Sequence, residues 1–215
     1  MLLVVIGLDL CTELFSSIES VQCAVSSLVN IALDHDLDGW LINIENTLPL
    51  ECLSNVLLFL QLLTKEMHDA CGTFSQVIWY DSVTTEGKLQ WQDGLTTLNK
   101  PFFDACDAIF VNYTWKEQSL IQTRSLLGDN DRGTDVYYGV DVFGRGTIGG
   151  GGYNCCEALN YLSPHTYEDM DPSGEEESTQ SSQHVCGYSA ALFAPGWLLE
   201  TQCSSVPATH SPWQK

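Results

Sequence analysis

The amino-acid sequence predicts an α/β fold built around a parallel β-sheet. Short apolar segments rich in β-branched residues alternate along the chain with longer segments whose apolar residues recur at helical spacing. This alternation is typical of βαβ units, in which a helix connects two parallel strands. The chain has 215 residues, 44% of them hydrophobic, which is enough for a substantial buried core. A complete (β/α)8 barrel typically needs about 250 residues, so the chain is short for that fold.

The first half of the chain contains patterns for two long helices and two strands. Apolar residues at helical spacing predict a helix with a break over Cys11–Asp36 and an unbroken helix over Leu50–Ala70. Apolar segments predict strands over Trp40–Glu45 and Ser75–Tyr80. The opening run Leu2–Leu8 is a weaker strand pattern. It is too short to cross a membrane, which takes about 20 apolar residues, and it lacks the basic start and cleavage site of a signal peptide.

The second half continues the alternation after a polar loop over residues 81–99. The predicted elements are, in order, helix Pro101–Cys106, strand Ala108–Asn112, helix Lys116–Leu127, strand Val136–Val142, helix Cys155–Leu162 and strand Tyr188–Phe193. The loop Phe143–Gly152 contains six glycines. No Gly-Lys-Ser/Thr follows it, and no Gly-x-Gly-x-x-Gly opens a helix in a nucleotide-binding context. We therefore interpret this segment as a wide, mobile active-site loop and not as a phosphate-binding loop.

Two segments depart in composition from this pattern. Residues 163–183 form an acidic, low-complexity insert, which predicts disorder. Residues 201–215 form a tail rich in serine and proline. The predicted organisation is therefore one domain over residues 1–200 that carries the insert, followed by the separate tail.

Charge and cysteine content limit the classes of partner and cofactor. The net charge is −20, from 28 acidic and 8 basic residues, which argues against nucleic acid and against an anionic membrane as partners. A neutral partner is not disfavoured by this charge. The nine cysteines form no Cys-x-x-Cys pair and several lie in apolar runs, as expected of reduced thiols in the cytosol. The five histidines are scattered without ligand spacing, so neither a metal site nor another cofactor is predicted.

The segment from Asp38 to Asn46 carries the most specific chemical pattern. It contains a turn and then a strand that places Leu41, Asn43 and Glu45 on one face. Two residues along a strand span roughly 6.6–6.8 Å, so an amide and a carboxylic acid at its end could both contact one small substrate group. In a parallel barrel, catalytic residues lie at this end of the strands. The alternative is a buried strand whose last polar residues cap the next helix.

The same segment and five later motifs resemble one family in the same order. The later motifs are Trp79-Tyr80-Asp81-Ser82, Phe102-Phe103-Asp104-Ala105-Cys106-Asp107, Asn112-Tyr113-Thr114-Trp115, Gly139-Val140-Asp141-Val142-Phe143-Gly144-Arg145-Gly146 and Ala191-Leu192-Phe193-Ala194-Pro195-Gly196-Trp197. From about Leu28 to Leu199 the chain resembles the cytosolic endo-β-N-acetylglucosaminidases, glycoside hydrolase family eighty-five. The acidic insert interrupts this resemblance, and the tail over residues 201–215 is expected not to belong to the catalytic domain of the family.

The resemblance implies a fold and an activity. It assigns the five stronger strands to the fourth through eighth strands of a (β/α)8 TIM-type barrel, so the chain is expected to be a truncated barrel. It implies hydrolysis, in the cytosol, of the bond between the two core N-acetylglucosamines of N-glycans on glycoproteins or glycopeptides, with release of free oligosaccharides. An open barrel exposes strand edges, so a catalytically silent fragment or isoform with at most weak glycan binding is the alternative. A chitinase-like enzyme fits less well, because such enzymes carry several acids spaced by two where this chain has Asn43 before Glu45.

The resemblance also implies roles for individual residues. Glu45 matches the family's acid/base, Asn43 its acetamide-orienting residue, and Tyr80 the tyrosine beside the acetamide. The remaining predicted substrate-binding residues are Trp91, Trp115, Asn112 and Asp141. For the two tryptophans the alternative is core packing, and for Asp141 it is an ion pair with Arg145.

Overall fold

The fold is an α/β architecture with a parallel sheet, as the sequence predicts. A computed structural model describes residues 2–5, 7–128, 132–163 and 187–202. Within these ranges six strands form one sheet in chain order, and each strand is parallel to the next. The strands are β1 (Leu2–Val5), β2 (Gly39–Asn43), β3 (Gln76–Tyr80), β4 (Ala108–Val111), β5 (Val136–Asp141) and β6 (Ser189–Phe193).

A π-helical turn over Leu198–Gln202 follows β6, and within the described residues six α-helices lie between consecutive strands. They are α1 (Leu8–Leu14), α2 (Ile18–Asp34), α3 (Leu53–Cys71), α4 (Lys100–Asp104), α5 (Glu117–Leu127) and α6 (Cys155–Leu162). The predicted break in the first helix is confirmed, and the Ser17 side chain caps the second part by accepting a hydrogen bond from the Ser20 N–H at 3.1 Å. The helix predicted from Leu50 begins as a 3₁₀ turn and becomes α-helical at Leu53. None of the described helices is long and apolar enough to cross a membrane.

Helices α2 and α3 cover one face of the sheet. Their inward side chains recur at helical spacing and are buried, with Val21, Val25 and Val29 on α2 and Val56 and Leu60 on α3. The alternate residues of β2 that face them, Trp40 and Ile42, are also buried, and Ile44 continues this alternation just beyond the strand. The odd-numbered residues of β2 are therefore left for the opposite face of the sheet.

All strand ends lie within two residues of the prediction except the end of β1, which lies three residues earlier than predicted. The weak pattern at Leu2–Leu8 does yield a strand, Leu2–Val5, which pairs with β2 in the register Leu2 with Trp40. Strand β2 ends at Asn43, so Glu45 lies two residues past it rather than at its last position. The acidic insert falls outside the described residues from position 164 onward, as does the tail from position 203.

Candidate active site

A cavity of about 500 Å³ opens at the carboxyl ends of the strands. Residues from β2, β3, β4 and β6 and from the loops that follow β2, β3, β4 and β5 line it. The lining residues are Leu41, Asn43, Glu45, Tyr80, Trp91, Phe110, Asn112, Tyr113, Thr114, Arg145 and Phe193. Five of the seven predicted site residues are therefore brought together in one cavity: Asn43, Glu45, Tyr80, Trp91 and Asn112.

Asn43 and Glu45 lie side by side in this cavity. The Asn43 Nδ2 donates a hydrogen bond to the Glu45 Oε1 at 3.3 Å. The Asn43 Oδ1 is buried and accepts no hydrogen bond from the described residues. A buried acceptor without a donor costs free energy, so turning the amide to bring this oxygen to a donor in the cavity is favourable. Glu45 itself is exposed and accessible to a ligand.

Tyr80, the last residue of β3, places a phenol beside this pair. Its hydroxyl donates to the Asn112 Oδ1 at 3.4 Å. Burial raises the pKa of the Tyr80 hydroxyl well above its ordinary value, and the nearby Glu45 carboxylate raises it further. Tyr80 is therefore a neutral hydrogen-bond donor at physiological pH.

A second group of polar side chains joins the loop after β3 to the end of β4. The Asn112 Nδ2 donates to the Asp93 Oδ1 at 3.0 Å and to the Thr114 Oγ1 at 2.8 Å. The Thr114 hydroxyl donates to the same Asp93 oxygen at 2.6 Å. Because Asn112 also accepts from Tyr80, both its amide N–H groups and its carbonyl oxygen are used within the site. Its position is thereby fixed by the last residue of β3 and by the loops that follow β3 and β4.

Asp81 anchors the loop that carries Trp91. This carboxylate is buried, and its Oδ2 accepts from the backbone N–H groups of Gln92 at 3.1 Å and Asp93 at 2.9 Å. Its Oδ1 accepts from the Asn99 Nδ2 at 2.8 Å. Burial raises the pKa of Asp81 to about 8, although these three hydrogen bonds favour the carboxylate.

The raised pKa of Asp81 predicts a pH dependence of stability. Between its ordinary value of 3.8 and about 8, the folded chain holds a proton on Asp81 that the unfolded chain releases. The stabilising contribution is therefore complete below about pH 4 and is lost as pH rises towards 8. We expect the free energy of unfolding of the wild type, minus that of Asp81→Asn, to decrease between pH 5 and pH 8 in urea titrations. A difference that stays constant over this range contradicts the assignment.

The structure corrects the prediction that Trp115 lines the substrate cavity. Trp115 is fully buried, its Nε1 donates to the Gly139 carbonyl at 2.7 Å, and its ring meets Tyr138 edge-on. Past the end of β4 the chain places Thr114 at the cavity and the next residue in the core. Trp115 is therefore a core residue, which is the alternative that its sequence left open.

For Asp141 the structure shows the ion pair. Its buried carboxylate accepts from the Arg145 Nε at 2.7 Å and Nη2 at 3.1 Å, and from the backbone N–H groups of Arg145 and Phe143. Burial alone would raise the pKa of Asp141, but the hydrogen bonds from Arg145 outweigh it and lower the pKa. Arg145, not Asp141, reaches the cavity.

The structure also adds lining residues that sequence reasoning missed. Tyr113 and Phe193 stack with ring centroids 5.8 Å apart, and the Arg145 guanidinium lies 5.9 Å and 5.5 Å from their respective ring centroids. All three lie inside motifs of the family resemblance, which was the available signal. Their meeting depends on the adjacency of β4, β5 and β6, which no single motif contains.

Comparison with known proteins identifies relatives over most of the chain. The model of the family described as "Glycosyl hydrolase family 85" matches residues 5–213, which includes most of the predicted tail. A cytosolic endo-beta-N-acetylglucosaminidase 1 of Arabidopsis thaliana is 45% identical over 196 residues. That alignment covers 91% of this chain and 25% of the relative, so the chain spans about a quarter of the relative's length.

Solved structures show the same fold at low sequence identity. An apo endo-beta-N-acetylglucosaminidase from Cordyceps militaris superimposes with a TM-score of 0.55 at 16% identity, covering 87% of this chain and 58% of that one. A mutant of the same enzyme, in complex with fucosyl-N-acetylglucosamine-Asn, gives a TM-score of 0.51 at 14% identity with the same coverage.

Proposed function

The chain belongs to glycosyl hydrolase family 85, and we propose that it forms the catalytic part of an endo-β-N-acetylglucosaminidase. The proposed reaction is hydrolysis of the bond between the two core N-acetylglucosamines of an N-glycan. The observation that carries the proposal is the Asn43–Glu45 pair at the cavity, with a buried amide oxygen that has no donor among the described residues. The relative of known structure that binds a fucosylated N-acetylglucosamine-Asn supports this class of substrate.

In the proposed mechanism the substrate supplies its own nucleophile. The 2-acetamido oxygen attacks the anomeric carbon while the glycosidic bond breaks, and Glu45 gives its proton to the leaving oxygen. The product of this step is an oxazoline-like intermediate. Glu45, now a carboxylate, takes a proton from water as the water attacks the anomeric carbon and reopens the ring.

Asn43 orients the acetamide and transfers no proton. An amide side chain can do this, and a second carboxylic acid is not needed. Its Oδ1 accepts from the acetamide N–H, which orients the acetamide oxygen towards the anomeric carbon. As the oxazoline forms, positive charge develops on this nitrogen and the hydrogen bond strengthens. The Asn43 Nδ2, 3.3 Å from the Glu45 Oε1, holds the pair in one geometry.

Tyr80 and Trp91 complete the proposed sugar site. The neutral phenol of Tyr80 lies on the strand next to Asn43 and donates a hydrogen bond in the same cavity. Trp91 is 40% exposed and offers an aromatic face on which the apolar face of a sugar can stack. Asn112 holds Tyr80 and Asp93 in place and also borders the cavity.

We further propose that the six strands are part of a TIM-type barrel wall. They are all parallel and follow chain order, and the cavity lies at their carboxyl ends, where barrel enzymes have their active sites. The proposed location is the cytosol and the proposed substrates are N-glycans on glycoproteins or glycopeptides. The net charge of −20 disfavours nucleic acid and anionic membranes as further partners.

Mass spectrometry of a digested high-mannose glycopeptide tests the proposed function. The wild-type chain should leave one N-acetylglucosamine on the peptide and release a glycan that ends in the other. Glu51→Gln, which removes an exposed carboxylate outside the cavity, should behave like the wild type. No release by the wild type, under conditions in which a full-length relative cleaves the same glycopeptide, would favour the catalytically silent alternative. A broad thermal transition with binding of a hydrophobic dye would strengthen that alternative.

The two tryptophans should respond differently to substitution. Trp91→Ala removes a sugar platform, so the KM for the glycopeptide should rise about 2- to 10-fold while thermal stability is unchanged. Trp115→Phe leaves the buried Gly139 carbonyl without its donor, so it should lower the free energy of unfolding by about 1–3 kcal/mol. Steady-state kinetics and urea titrations of both variants make the comparison. A rise in KM for Trp115→Phe equal to that for Trp91→Ala contradicts the placement of the two rings.

A further inference from the structure

The backbone between Asn43 and Glu45 leaves the sheet just where the two proposed site residues must be held. The pairing register of β2 with β3 ends at Ile42 and Trp79, two residues before Ile44. Ile44 is buried, and its carbonyl lies in the peptide unit that leads into Glu45. Rotation of this peptide would swing Glu45 relative to Asn43.

The side chain of Ser82 holds that peptide. Its hydroxyl donates to the Ile44 carbonyl at 2.5 Å, across 38 residues of sequence, and Ser82 is fully buried. The second acceptor within reach, the Tyr80 carbonyl, is 3.5 Å away, so the single hydroxyl proton is used on Ile44. The backbone of Ser82 is itself fixed, because its N–H donates to Tyr80 and its carbonyl accepts from Gln90, both at 2.8 Å.

We infer that Ser82 is a positioning residue, which sets the direction of the Glu45 carboxyl through the Ile44 peptide. The inference rests on the proposed role of Glu45 as general acid. Ser82 is not among the residues that line the cavity, so its effect on Glu45 passes through the Ile44 peptide. Beyond the end of β2, the Ser82 hydroxyl fixes the orientation of the Ile44 peptide, as hydrogen bonds between strands do within the sheet. Displacing a catalytic group by about 1 Å can cost on the order of 10²-fold in rate.

The chain offers a matched control at the other end of β3. Ser75 is also a buried serine, and its hydroxyl also donates to a backbone carbonyl, that of Gly72 at 2.9 Å. It precedes β3, whereas Ser82 follows it and lies near the cavity. Ser75→Ala therefore removes a hydrogen bond of the same kind without touching the peptide between Asn43 and Glu45.

Kinetics on two leaving groups test the inference. For Ser82→Ala, kcat on a glycopeptide should fall about 10- to 100-fold with KM unchanged. The loss should be much smaller on a nitrophenyl glycoside of the same glycan, because this leaving group departs without a proton. Ser82→Thr, which restores a hydroxyl, should recover part of the glycopeptide rate, and Ser75→Ala should leave both rates unchanged. An equal loss on both substrates, or the same loss in Ser75→Ala, overturns the inference.

A spectroscopic measurement separates this inference from the proposed function. The protein is labelled with ¹³C at the carboxyl carbon of every glutamate side chain. The Glu45 signal is then identified as the one that is absent from the spectrum of Glu45→Gln. This signal should shift in Ser82→Ala and stay in place in Ser75→Ala, whether or not the chain turns over a glycan. A Glu45 signal that is unchanged in Ser82→Ala refutes the positioning role. A shifted signal in a chain without activity upholds the positioning role and rejects the proposed function.

Discussion

Glu45→Gln is expected to abolish glycopeptide hydrolysis while leaving glycan binding largely intact. The substitution keeps the shape of the side chain and its hydrogen-bonding capacity, but it removes the proton that the leaving oxygen requires. General acid–base catalysis contributes about 10²–10⁴-fold, so the loss of kcat should lie within or beyond that range. Hydrolysis rates and the affinity for an uncleaved glycopeptide, measured on the same variant, separate the two effects.

The matched control for this variant is Glu51→Gln. Glu51 is an exposed carboxylate in the turn before α3 and does not line the cavity, so its replacement changes the net charge by the same amount. If both variants lose activity equally, the effect is one of charge or folding and Glu45 has no special role. If Glu45→Gln retains the wild-type rate, another group supplies the proton.

Asn43→Ala is expected to slow hydrolysis at the step in which the oxazoline ring forms. A substrate that already contains this ring does not need that step. Without the Asn43 oxygen, the acetamide loses its partner at the step in which the oxazoline ring forms. Loss of one preorganised hydrogen bond to a developing charge costs about 10²–10³-fold. A synthetic sugar oxazoline already contains the ring, so its transfer to an acceptor N-acetylglucosamine should persist, with Glu45 acting as base.

The conservative variant Asn43→Asp makes the test more specific. A carboxylate still accepts a hydrogen bond from the acetamide N–H, so this variant should retain more hydrolysis than Asn43→Ala. The informative quantity is the ratio of oxazoline transfer to glycopeptide hydrolysis in each protein. Should Asn43→Ala lower both activities equally, Asn43 is a structural residue and its proposed role is wrong.

Much of the fold and the centre of the site could be predicted because both depend on local periodicity. Alternation along β2 placed Leu41, Asn43 and Glu45 on one face, and the structure keeps all three at the cavity although the strand ends at Asn43. The same rule did not place Trp115. Once the chain leaves a strand, the side on which a residue lies depends on tertiary contacts, here the carbonyl of Gly139 on β5.

The supporting residues of the site could not be predicted for a related reason. Asp81 and Ser82 lie in a motif that the sequence singles out, but their partners are 11 to 38 residues away. Asp93 lies in a loop without periodicity and meets Thr114 across 21 residues. The Ser82 and Asp93 contacts join segments that follow different strands, so they form only once β2, β3 and β4 have paired. The Asp81 contacts close a loop without periodicity, which no short pattern predicts.

The most direct test of the account is the configuration of the sugar at the moment of release. Proton NMR during cleavage of a high-mannose glycopeptide by the wild-type chain reports both the bond that is broken and the first anomer formed. Substrate assistance by the acetamide predicts a glycan ending in a single N-acetylglucosamine whose β-anomer appears first. If the α-anomer appears first, or if both core sugars leave together, the proposed mechanism at Asn43 and Glu45 is contradicted.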